Sequence, residues 1–402
     1  MPVMLRQIML VIGALTLTAC AQAAATPFPD TPPLEPLPPL STPTPVGDAG
    51  AGAVAADAMA TTTTLPPSDD LMLVEEGSIW GDIAPKSVIA TGNGLFFAQN
   101  MMYRHTVTVY NRDRQPVATI PDTVDLSAFG INAAGSSYQG APVEAVATSD
   151  GAFVYVSNYQ MYGPGYGNAG GDTCERGGWD ESFVYRITTD DFTIDQVIPV
   201  GAVPKYVALT PDDSTMLVTN WCSFDLSVID TASLEETARI PLGRHPRGIA
   251  VTSDGASAYI AVMGSTDIAI VDLGTLQVRW IRGVGNNPRH LVLSPDDRYL
   301  YATLNGDDRV IRIDLETQQV LDRVSTGDAP RSMAISDDGL SLYVVNYESD
   351  TVTKLDALTM NVLQDVAVGR HPIGVTFDNV NRSVWVASYS GVITVLNERD
   401  PS

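Results

Sequence analysis

From residue 201 onward, short runs that alternate apolar and polar residues recur at a fixed interval. Each run follows a Gly-x-x-Pro turn, and the prolines of successive turns lie 42 residues apart, at Pro204, Pro246, Pro288, Pro330 and Pro372. Alternation with a period of two predicts β-strands with one buried face. A fixed period of this length indicates a repeat architecture. Two earlier counterparts are Pro85 and Pro142. The interval from Pro85 to Pro142 is 57 residues and that from Pro142 to Pro204 is 62 residues, which predicts two loop insertions.

One repeat contains four strand-like runs. Residues 331–369 read RSMAIS, SLYVVN, TVTKLD and VLQDVAVG, separated by turn residues. Runs rich in Val, Ile, Leu and Tyr between such turns predict four strands. Four-stranded units that repeat around a ring form a β-propeller. We therefore predict an all-β fold, a seven-bladed β-propeller of four-stranded blades. The aspartates that end the third strands are interpreted as turn residues: Asp230, Asp272, Asp314 and Asp356.

The two ends of the repeat region together make one blade. The last repeat, from Pro372 to Arg399, lacks a fourth strand, and residues 71–84 carry the strand-like run MLVEEGSIW. We predict that this N-terminal strand completes the last blade, which removes an exposed sheet edge. An open β-solenoid, the competing interpretation, would not need this complementary remainder.

Residues 1–20 have the layout of a secretory signal peptide: Arg6, an apolar run, and small residues before Cys20. The ending Leu-Thr-Ala-Cys resembles the bacterial lipobox. That resemblance implies a lipid on Cys20, attachment to a membrane through it, and an extracytoplasmic protein anchored to the cell envelope, in the periplasm or at the cell surface. An ordinary signal peptide with a chance cysteine is the alternative. Residues 21–70, rich in Pro, Ala and Thr, are predicted to form a disordered stalk, and residues 71–402 the propeller.

The ends of the second strands carry a more specific resemblance. They read YVSN at 155–158, LVTN at 217–220 and YVVN at 343–346. With the Gly-x-x-Pro turns, these runs resemble the YVTN-repeat β-propeller family of bacterial and archaeal cell-envelope proteins, over residues 71–399. Blades 4, 5 and 7 lack the Asn, and blade 1 is the most divergent. The resemblance implies architecture and location more than chemistry.

Net charge restricts the partners. The chain carries 23 Lys and Arg against 47 Asp and Glu, a net charge of −24. A protein this acidic is not expected to bind duplex nucleic acid, whose partners present basic surfaces. The sequence contains no haem-attachment, zinc or P-loop motif. We therefore expect no cofactor and assign no metal site.

Basic residues nevertheless collect at one predicted end of the channel. Of the seven residues that follow the anchor prolines, five are basic, and the four histidines also fall in these loops. Converging Arg and Lys side chains can hold a carboxylate or a phosphate. The alternative is that they only pair with neighbouring blades as framework. The predicted ligand-binding residues are Lys86, Lys205, Arg244, His245, Arg247, Arg289, His290, Arg331, Arg370 and His371.

Other residues at this end carry weaker hypotheses. Tyr159, Trp221, Tyr347 and Tyr389 follow the second strands and either stack a ligand or pack between blades. The insertion of about residues 160–181 contains Cys174, and the equivalent loop of blade 3 contains Cys222. Outside the cytoplasm such cysteines pair, so we predict a disulfide that holds the insertion.

The leading functional hypothesis is a membrane-tethered ligand-binding or protein-interaction module. Its partner would be an anionic small molecule, or an envelope protein or polysaccharide. A lactonase- or lyase-like enzyme is the first alternative, and it would need a buried pair between a His and a carboxylate such as Glu144. A structural envelope or adhesion protein is the second. No catalytic residue is assigned from the sequence.

Overall fold

The computed structural model describes residues 66–131 and 135–401. The predicted signal peptide with Cys20, and the predicted stalk as far as residue 65, lie outside the described residues. Within the described ranges, no helix has the length and apolar character needed to cross a membrane. The helical content of these ranges is two short 3₁₀ turns, Ser68–Asp70 and Leu126–Phe129.

The first half of the described chain forms a leading strand and three sheets. The leading strand is β1 (Met72–Trp80). Blade 1 consists of β2 (Ser87–Ala90), β3 (Leu95–Asn100), β4 (Thr106–Asn111) and β5 (Pro116–Pro121). Blade 2 consists of β6 (Thr123–Val124), β7 (Tyr138–Ala147), β8 (Phe153–Tyr162), β9 (Ser182–Thr188) and β10 (Ile194–Val200). Blade 3 consists of β11 (Pro204–Leu209), β12 (Thr215–Asn220), β13 (Asp225–Asp230) and β14 (Glu235–Pro241).

The second half forms four more sheets. Blade 4 consists of β15 (Pro246–Val251), β16 (Ser257–Val262), β17 (Asp267–Asp272) and β18 (Val278–Ile281). Blade 5 consists of β19 (Pro288–Leu293), β20 (Tyr299–Leu304), β21 (Arg309–Asp314) and β22 (Gln319–Ser325). Blade 6 consists of β23 (Pro330–Ile335), β24 (Ser341–Asn346), β25 (Thr351–Asp356) and β26 (Val362–Ala367). Blade 7 contains β27 (Pro372–Asp378), β28 (Ser383–Ser388) and β29 (Val392–Arg399).

The ring closes as the sequence predicts. Strand β1 pairs antiparallel with β29, with Met72 opposite Arg399 and Trp80 opposite Val392, and so becomes the fourth strand of blade 7. The first strands of neighbouring blades contact each other all the way around, including β27 with β2. The seven-bladed all-β prediction is therefore confirmed. The first insertion adds one detail, because its two-residue strand β6 makes blade 2 a five-stranded sheet.

The antiparallel pairing defines two faces of the ring. The Gly-x-x-Pro turns and the loops between second and third strands lie on one face, which we call the mouth face. The turns that join first to second and third to fourth strands lie on the other, the far face. Because β1 runs from its Arg399 partner toward its Val392 partner, the described chain enters the propeller at the far face.

The apolar core lies between blades. Seven clusters of buried residues each draw on two neighbouring sheets; blades 4 and 5, for example, share Ile268, Ile270, Leu300 and Ile311. Between blades 7 and 1, the rings of Trp385 and Phe96 stack with centroids 3.8 Å apart. Burial of this apolar surface between sheets provides the main force that holds the ring together.

The Asn that ends a second strand explains the glycine of the turn. Asn220 donates from Nδ2 to Asp225 Oδ1 at 2.8 Å and to Ser227 Oγ at 2.9 Å, which links the second strand to the third. The opening glycine of the turn packs on this side chain, and a Cβ on Gly201 would lie 2.6 Å from Asn220 Cγ. The recurring Gly and Asn therefore form one packing unit.

A buried ion network holds the segment just before β1 on the far face. Lys354, which is fully buried, donates from Nζ to the backbone oxygens of Ser68 and Leu71 at 2.5 and 2.7 Å and to Glu398 Oε1 at 2.8 Å. Arg382 Nε donates to the second oxygen of Glu398 at 2.8 Å, and the Tyr343 hydroxyl donates to Oε1 at 2.6 Å. These bonds join blade 6, blade 7 and the segment before β1, and we call them the closure network.

Candidate functional site

Seven equivalent positions converge on the mouth of the central channel. Each is the residue after the proline that starts a first strand, and the first strands line the channel. Five of these positions carry cations, which we call the cation ring: Lys86, Lys205, Arg247, Arg289 and Arg331. The first four are only 3%, 5%, 5% and 6% exposed, and Arg331 is partly exposed. Val143 and Ile373 occupy the other two positions.

Two carboxylates neutralise part of this charge. Glu144 Oε1 lies 3.2 Å from Lys86 Nζ and 3.5 Å from Arg247 Nη2. Asp172, from the insertion in blade 2, accepts a hydrogen bond of 2.9 Å from Lys205 Nζ. Five cations against two carboxylates leave a formal excess of positive charge when the lysines are protonated.

Arg289 and Arg331 have no carboxylate partner within the described ranges. Arg289 reaches Met263 Sδ, 3.5 Å from its Nη1. The Arg331 guanidinium lies 3.6 Å from the ring centroid of Tyr347. The Nε atoms of both arginines are buried and donate to no acceptor among the described residues. Buried cations without a counter-charge are unfavourable, so this part of the mouth is suited to an incoming anion.

Burial and mutual repulsion perturb the titration of these groups. Burial, followed by repulsion from Arg247 and Arg331, lowers the pKa of Arg289 well below its usual value. Burial also lowers the pKa of Lys86, against the opposing attraction of Glu144. For Lys205, burial outweighs the attraction of Asp172 and lowers the pKa to about 7. Asp172 itself gains from the pair, since the charge of Lys205 lowers its pKa to about 2.

Seven side chains, six of them aromatic or thioether, surround the cation ring. They follow the Asn of each second strand or the residue equivalent to it, and we call them the collar: Met101, Tyr159, Trp221, Met263, Asn305, Tyr347 and Tyr389. Lys205 Nζ lies 4.2 Å from the ring centroid of Tyr159 and 5.1 Å from that of Trp221. The sequence interpretation included the four aromatic members of this series and missed the methionines. Trp221, Met263, Asn305, Tyr347 and Tyr389 are each 42 residues apart, so the repeat spacing identifies Met263.

A cavity of about 270 Å³ lies between the cation ring and the collar. Its lining includes both lysines of the ring, the Asp172 carboxylate, and the rings of Tyr159 and Tyr389. Burial raises the pKa of Tyr389 to about 12, so its hydroxyl is a donor at neutral pH. The lining therefore combines two cations and a carboxylate with the aromatic rings of these two tyrosines.

The insertion in blade 2 lies across one sector of the mouth. Cys174 and Cys222 form a disulfide with an S–S distance of 2.00 Å, which joins the insertion to blade 3. Trp221 Nε1 donates to the backbone oxygen of Asp172 at 3.2 Å. His245 Nε2, from blade 4, donates to the backbone oxygen of Cys174 at 3.0 Å. These contacts place the Asp172 carboxylate against the cation ring.

The predicted histidines do not come together. His245 stacks on Trp221 at 4.3 Å and His371 on Tyr347 at 4.6 Å, in separate parts of the collar. His290 is half-buried beside Tyr206, and desolvation lowers its pKa to about 4. In the part of the chain that the structure describes, no cluster of three or more His, Cys, Asp or Glu side chains is arranged to hold a metal ion.

Arg244 and Arg370 lie at the rim of the mouth rather than in the cation ring. Arg244 pairs with Glu175 of the insertion, with 2.8 Å between Nη2 and Oε1, and its side chain is 49% exposed. Arg370 is exposed. Both residues belong to Gly-Arg-His-Pro turns, in which the position after the glycine points outward and the position after the proline points into the channel.

Known proteins support the architecture. Residues 260–390 match the family model described as Cytochrome D1 heme domain, a match that covers less than half of the chain. No curated protein matches the chain. Among solved structures, the hydrazine synthase of Kuenenia stuttgartiensis is similar, with a TM-score of 0.63 and 19% identity over 82% of this chain and 99% of that one. At this identity the likeness is one of fold.

Proposed function

We propose that the cation ring binds a small anionic ligand at the mouth of the channel. The observation that carries this proposal is the pair of guanidinium groups, Arg289 and Arg331, that have no carboxylate partner within the described ranges. Charge-assisted bonds to a carboxylate or phosphate would satisfy their free donors. The aromatic collar offers a face for the apolar body of the ligand. On the lysine side of the ring, a cavity of about 270 Å³ lined by Lys86, Lys205 and Tyr389 favours a small molecule.

The family model that matches residues 260–390 names a haem, so we compared that group with this cavity. At about 270 Å³, the cavity is smaller than the range of roughly 300–1,000 Å³ usual for ligand pockets. Its lining includes no histidine. A tetrapyrrole does not fit this cavity, and we derive no chemistry through one.

The lactonase- or lyase-like alternative needs an acid–base pair at the mouth. Glu144, its nearest carboxylate, bonds to Lys86 and Arg247 rather than to a histidine. A purely structural role would make every cation of the ring part of the framework, yet Arg289 and Arg331 bond to no neighbouring carboxylate among the described residues. Both observations favour a binding site.

We also propose that the protein is an extracytoplasmic lipoprotein anchored through Cys20. Two observations support this location. The Cys174–Cys222 disulfide suits an oxidising compartment, and the described chain enters the propeller on the face opposite the mouth. Substitution of Cys20 by Ala should abolish incorporation of labelled fatty acid and release the protein from the membrane fraction. Retention of both properties in the variant would contradict the proposal.

Thermal unfolding against a panel of ligands tests the binding proposal. The panel contains carboxylates, phosphates, sugar acids, an acidic polysaccharide and haem. A ligand present at 100 times its dissociation constant stabilises the folded state by about 2.7 kcal/mol. We expect a carboxylate or phosphate to raise the melting temperature of the native protein and to have no effect on the Arg289→Gln/Arg331→Gln variant.

The control is Arg282→Gln, which removes a single positive charge from a turn where the side chain is 63% exposed and pairs with Asp267. It should keep the ligand response. A response that persists in the double variant, or that disappears in the control, would contradict an anion site at the mouth.

A further inference from the structure

The distribution of lysine in this chain is unusual. Lys86, Lys205 and Lys354 are its three lysines, and the remaining basic residues are arginines. Their exposed fractions are 3%, 5% and 0%. Lysine is usually a surface residue, whereas this protein uses arginine at its surface. Lys354 belongs to the closure network, which leaves two lysines whose placement needs another explanation.

Both of these lysines line the cavity at the mouth. They occupy the repeat position that holds Arg247, Arg289 and Arg331 in blades 4, 5 and 6. If only fixed positive charge were needed there, arginine would serve, because its guanidinium keeps its proton in proteins. Lysine differs in that its ammonium can lose a proton and become a nucleophile.

The surroundings of Lys205 favour the neutral amine. Its side chain is 7% exposed, it lies above the ring of Tyr159, and the charges of Arg247 and Arg289 repel its proton. Burial is the largest effect and brings its pKa to about 7. Desolvation beside other cations is the usual way in which a lysine is activated for attack on a carbonyl group.

A proton carrier and anion-holding groups stand beside this amine. Asp172 Oδ1 lies 2.9 Å from Nζ, and the Tyr159 hydroxyl donates to the same oxygen at 3.4 Å. The Asp172 side chain is 78% exposed, so it can exchange protons with water. Of the guanidinium groups in the cation ring, those of Arg247 and Arg289 are near enough to act on the charge of Lys205, and they would hold a carboxylate close to the amine.

We propose that Lys205 forms an imine with the carbonyl carbon of a 2-oxo carboxylate bound at the mouth, an inference that rests on the proposed anion site. The neutral amine attacks the carbonyl carbon, and the proton lost from nitrogen passes through Asp172 to the former carbonyl oxygen. The resulting carbinolamine loses that oxygen as water, and the C=N bond forms. One amine and one carbonyl group give one imine and one water, so no oxidant or reductant is needed.

The test is reductive trapping on the full chain. The protein is incubated with pyruvate and cyanoborohydride, and the modified lysines are located by peptide mass mapping. We expect the reduced pyruvyl adduct on Lys205 at a yield at least about tenfold above that on Lys86 or the terminal amine, because a positioned proton carrier accelerates by a factor of at least this size. No adduct on Lys205, or equal adducts on all amines, would overturn the inference.

Two variants sharpen the result. Lys205→Arg should lose the adduct, because a guanidinium keeps its proton, whereas Arg282→Gln, at an exposed position outside the cation ring, should keep the Lys205 adduct within about twofold. Asp172→Asn should slow adduct formation by about tenfold. The trapping rate in the native protein should rise as the pH increases through 7. An Arg282→Gln protein that loses the adduct while still folded would also contradict the inference.

A parallel measurement distinguishes the imine proposal from the anion-site proposal on which it rests. The melting temperature is recorded with pyruvate and without reductant. A pyruvate-dependent shift without an adduct would refute the imine and leave the anion site standing. The absence of both would refute the imine and count against carboxylate binding as well.

Discussion

At the scale of single residues, the sign of a mutational effect separates a binding site from framework. Arg289 is buried without a carboxylate, so its charge opposes folding in the free protein. We predict that Arg289→Met raises the free energy of unfolding by about 1 kcal/mol and removes the anion response. The measurement is urea unfolding with and without ligand.

Arg247 provides the contrast, because it pairs with Glu144 at 3.5 Å. Arg247→Met leaves that buried carboxylate with Lys86 alone and should lower the free energy of unfolding. If Arg289→Met destabilised the protein as much as Arg247→Met does, the unpaired arginines would belong to the framework.

Asp172 places a carboxylate of the protein itself beside the cation ring, 2.9 Å from Lys205 Nζ. We predict that Asp172→Asn tightens binding of the anionic ligand roughly fivefold, because a like charge a few ångströms from the bound anion costs about 1 kcal/mol in a solvated site. Calorimetric titration measures the change. Glu175→Gln is the matched control, since it removes the same charge from the same insertion at the rim. An equal gain in that control would indicate a general effect of net charge.

Lys205 makes the free energy of unfolding increase with pH above neutrality. Its folded pKa of about 7 lies below the ordinary value of 10.5, so the unfolded chain binds more protons between these two values. Stability therefore rises with pH from about 7 to 10. Urea unfolding at pH 7 and pH 9 should show a larger gain for the native protein than for Lys205→Met. Equal gains in both proteins would contradict a neutral buried amine.

Residue identities in the cation ring could be predicted from the sequence because the repeat aligns them on one position. Asp172 could not be assigned to Lys205, because it lies in an insertion that has no counterpart in other repeats. Its place depends on the path of that insertion, which the disulfide and the Trp221 side chain determine in three dimensions. Arg244 and Arg370 were grouped with the cation ring because they lie three residues from ring positions in the sequence, but their side chains point to the rim.

At the scale of elements, the insertion in blade 2 depends on its disulfide. The bond closes a loop over a sequence separation of 48 residues. We predict that Cys174→Ser/Cys222→Ser lowers the free energy of unfolding by about 4 kcal/mol on the chain-entropy account and increases amide exchange in residues 160–181. Denaturant titration and exchange mass spectrometry measure the two effects. A reducing agent should leave the variant unchanged.

The strands were predictable and the insertions were not. Alternation and turn residues located the four strands of blade 6, and the structure has them at Pro330–Ile335, Ser341–Asn346, Thr351–Asp356 and Val362–Ala367. The aspartate turns also agree, since Asp272 accepts a hydrogen bond of 2.8 Å from Thr275 N. Strand β6 has only two residues, and it forms by pairing with β7. No pattern in its own sequence predicts it.

At the scale of the whole molecule, ring closure depends on buried charge as well as on strand pairing. Lys354 is fully buried and bonds to Glu398 and to the backbone before β1. We predict that Lys354→Met lowers the free energy of unfolding by about 3–5 kcal/mol, the usual cost of removing one partner from a buried ion pair. Denaturant unfolding tests this.

Thr351, which starts the same strand on the mouth side, offers a control. Its hydroxyl accepts from Asn346 Nδ2 at 3.0 Å, so Thr351→Val should cost only about 1 kcal/mol. If both substitutions had the same small effect, the closure network would not hold the ring.

The closure could be predicted from the sequence because the lengths of the two terminal pieces complement each other. The ion network that secures it could not, since Lys354 and Glu398 lie in different blades and the repeat does not pair their positions. Long-range pairs of this kind become visible only when the ring is formed.

The point at which the chain enters the propeller also has a mechanical consequence. A pull on Pro66 directed away from the mouth acts along β1, whose hydrogen bonds to β29 run across the strand. The load is then shared by these bonds together instead of breaking them one after another, and the Lys354 ammonium adds a crosslink at the loaded end. A propeller held by its leading strand in this way resists traction in shear, the geometry in which paired strands are hardest to separate.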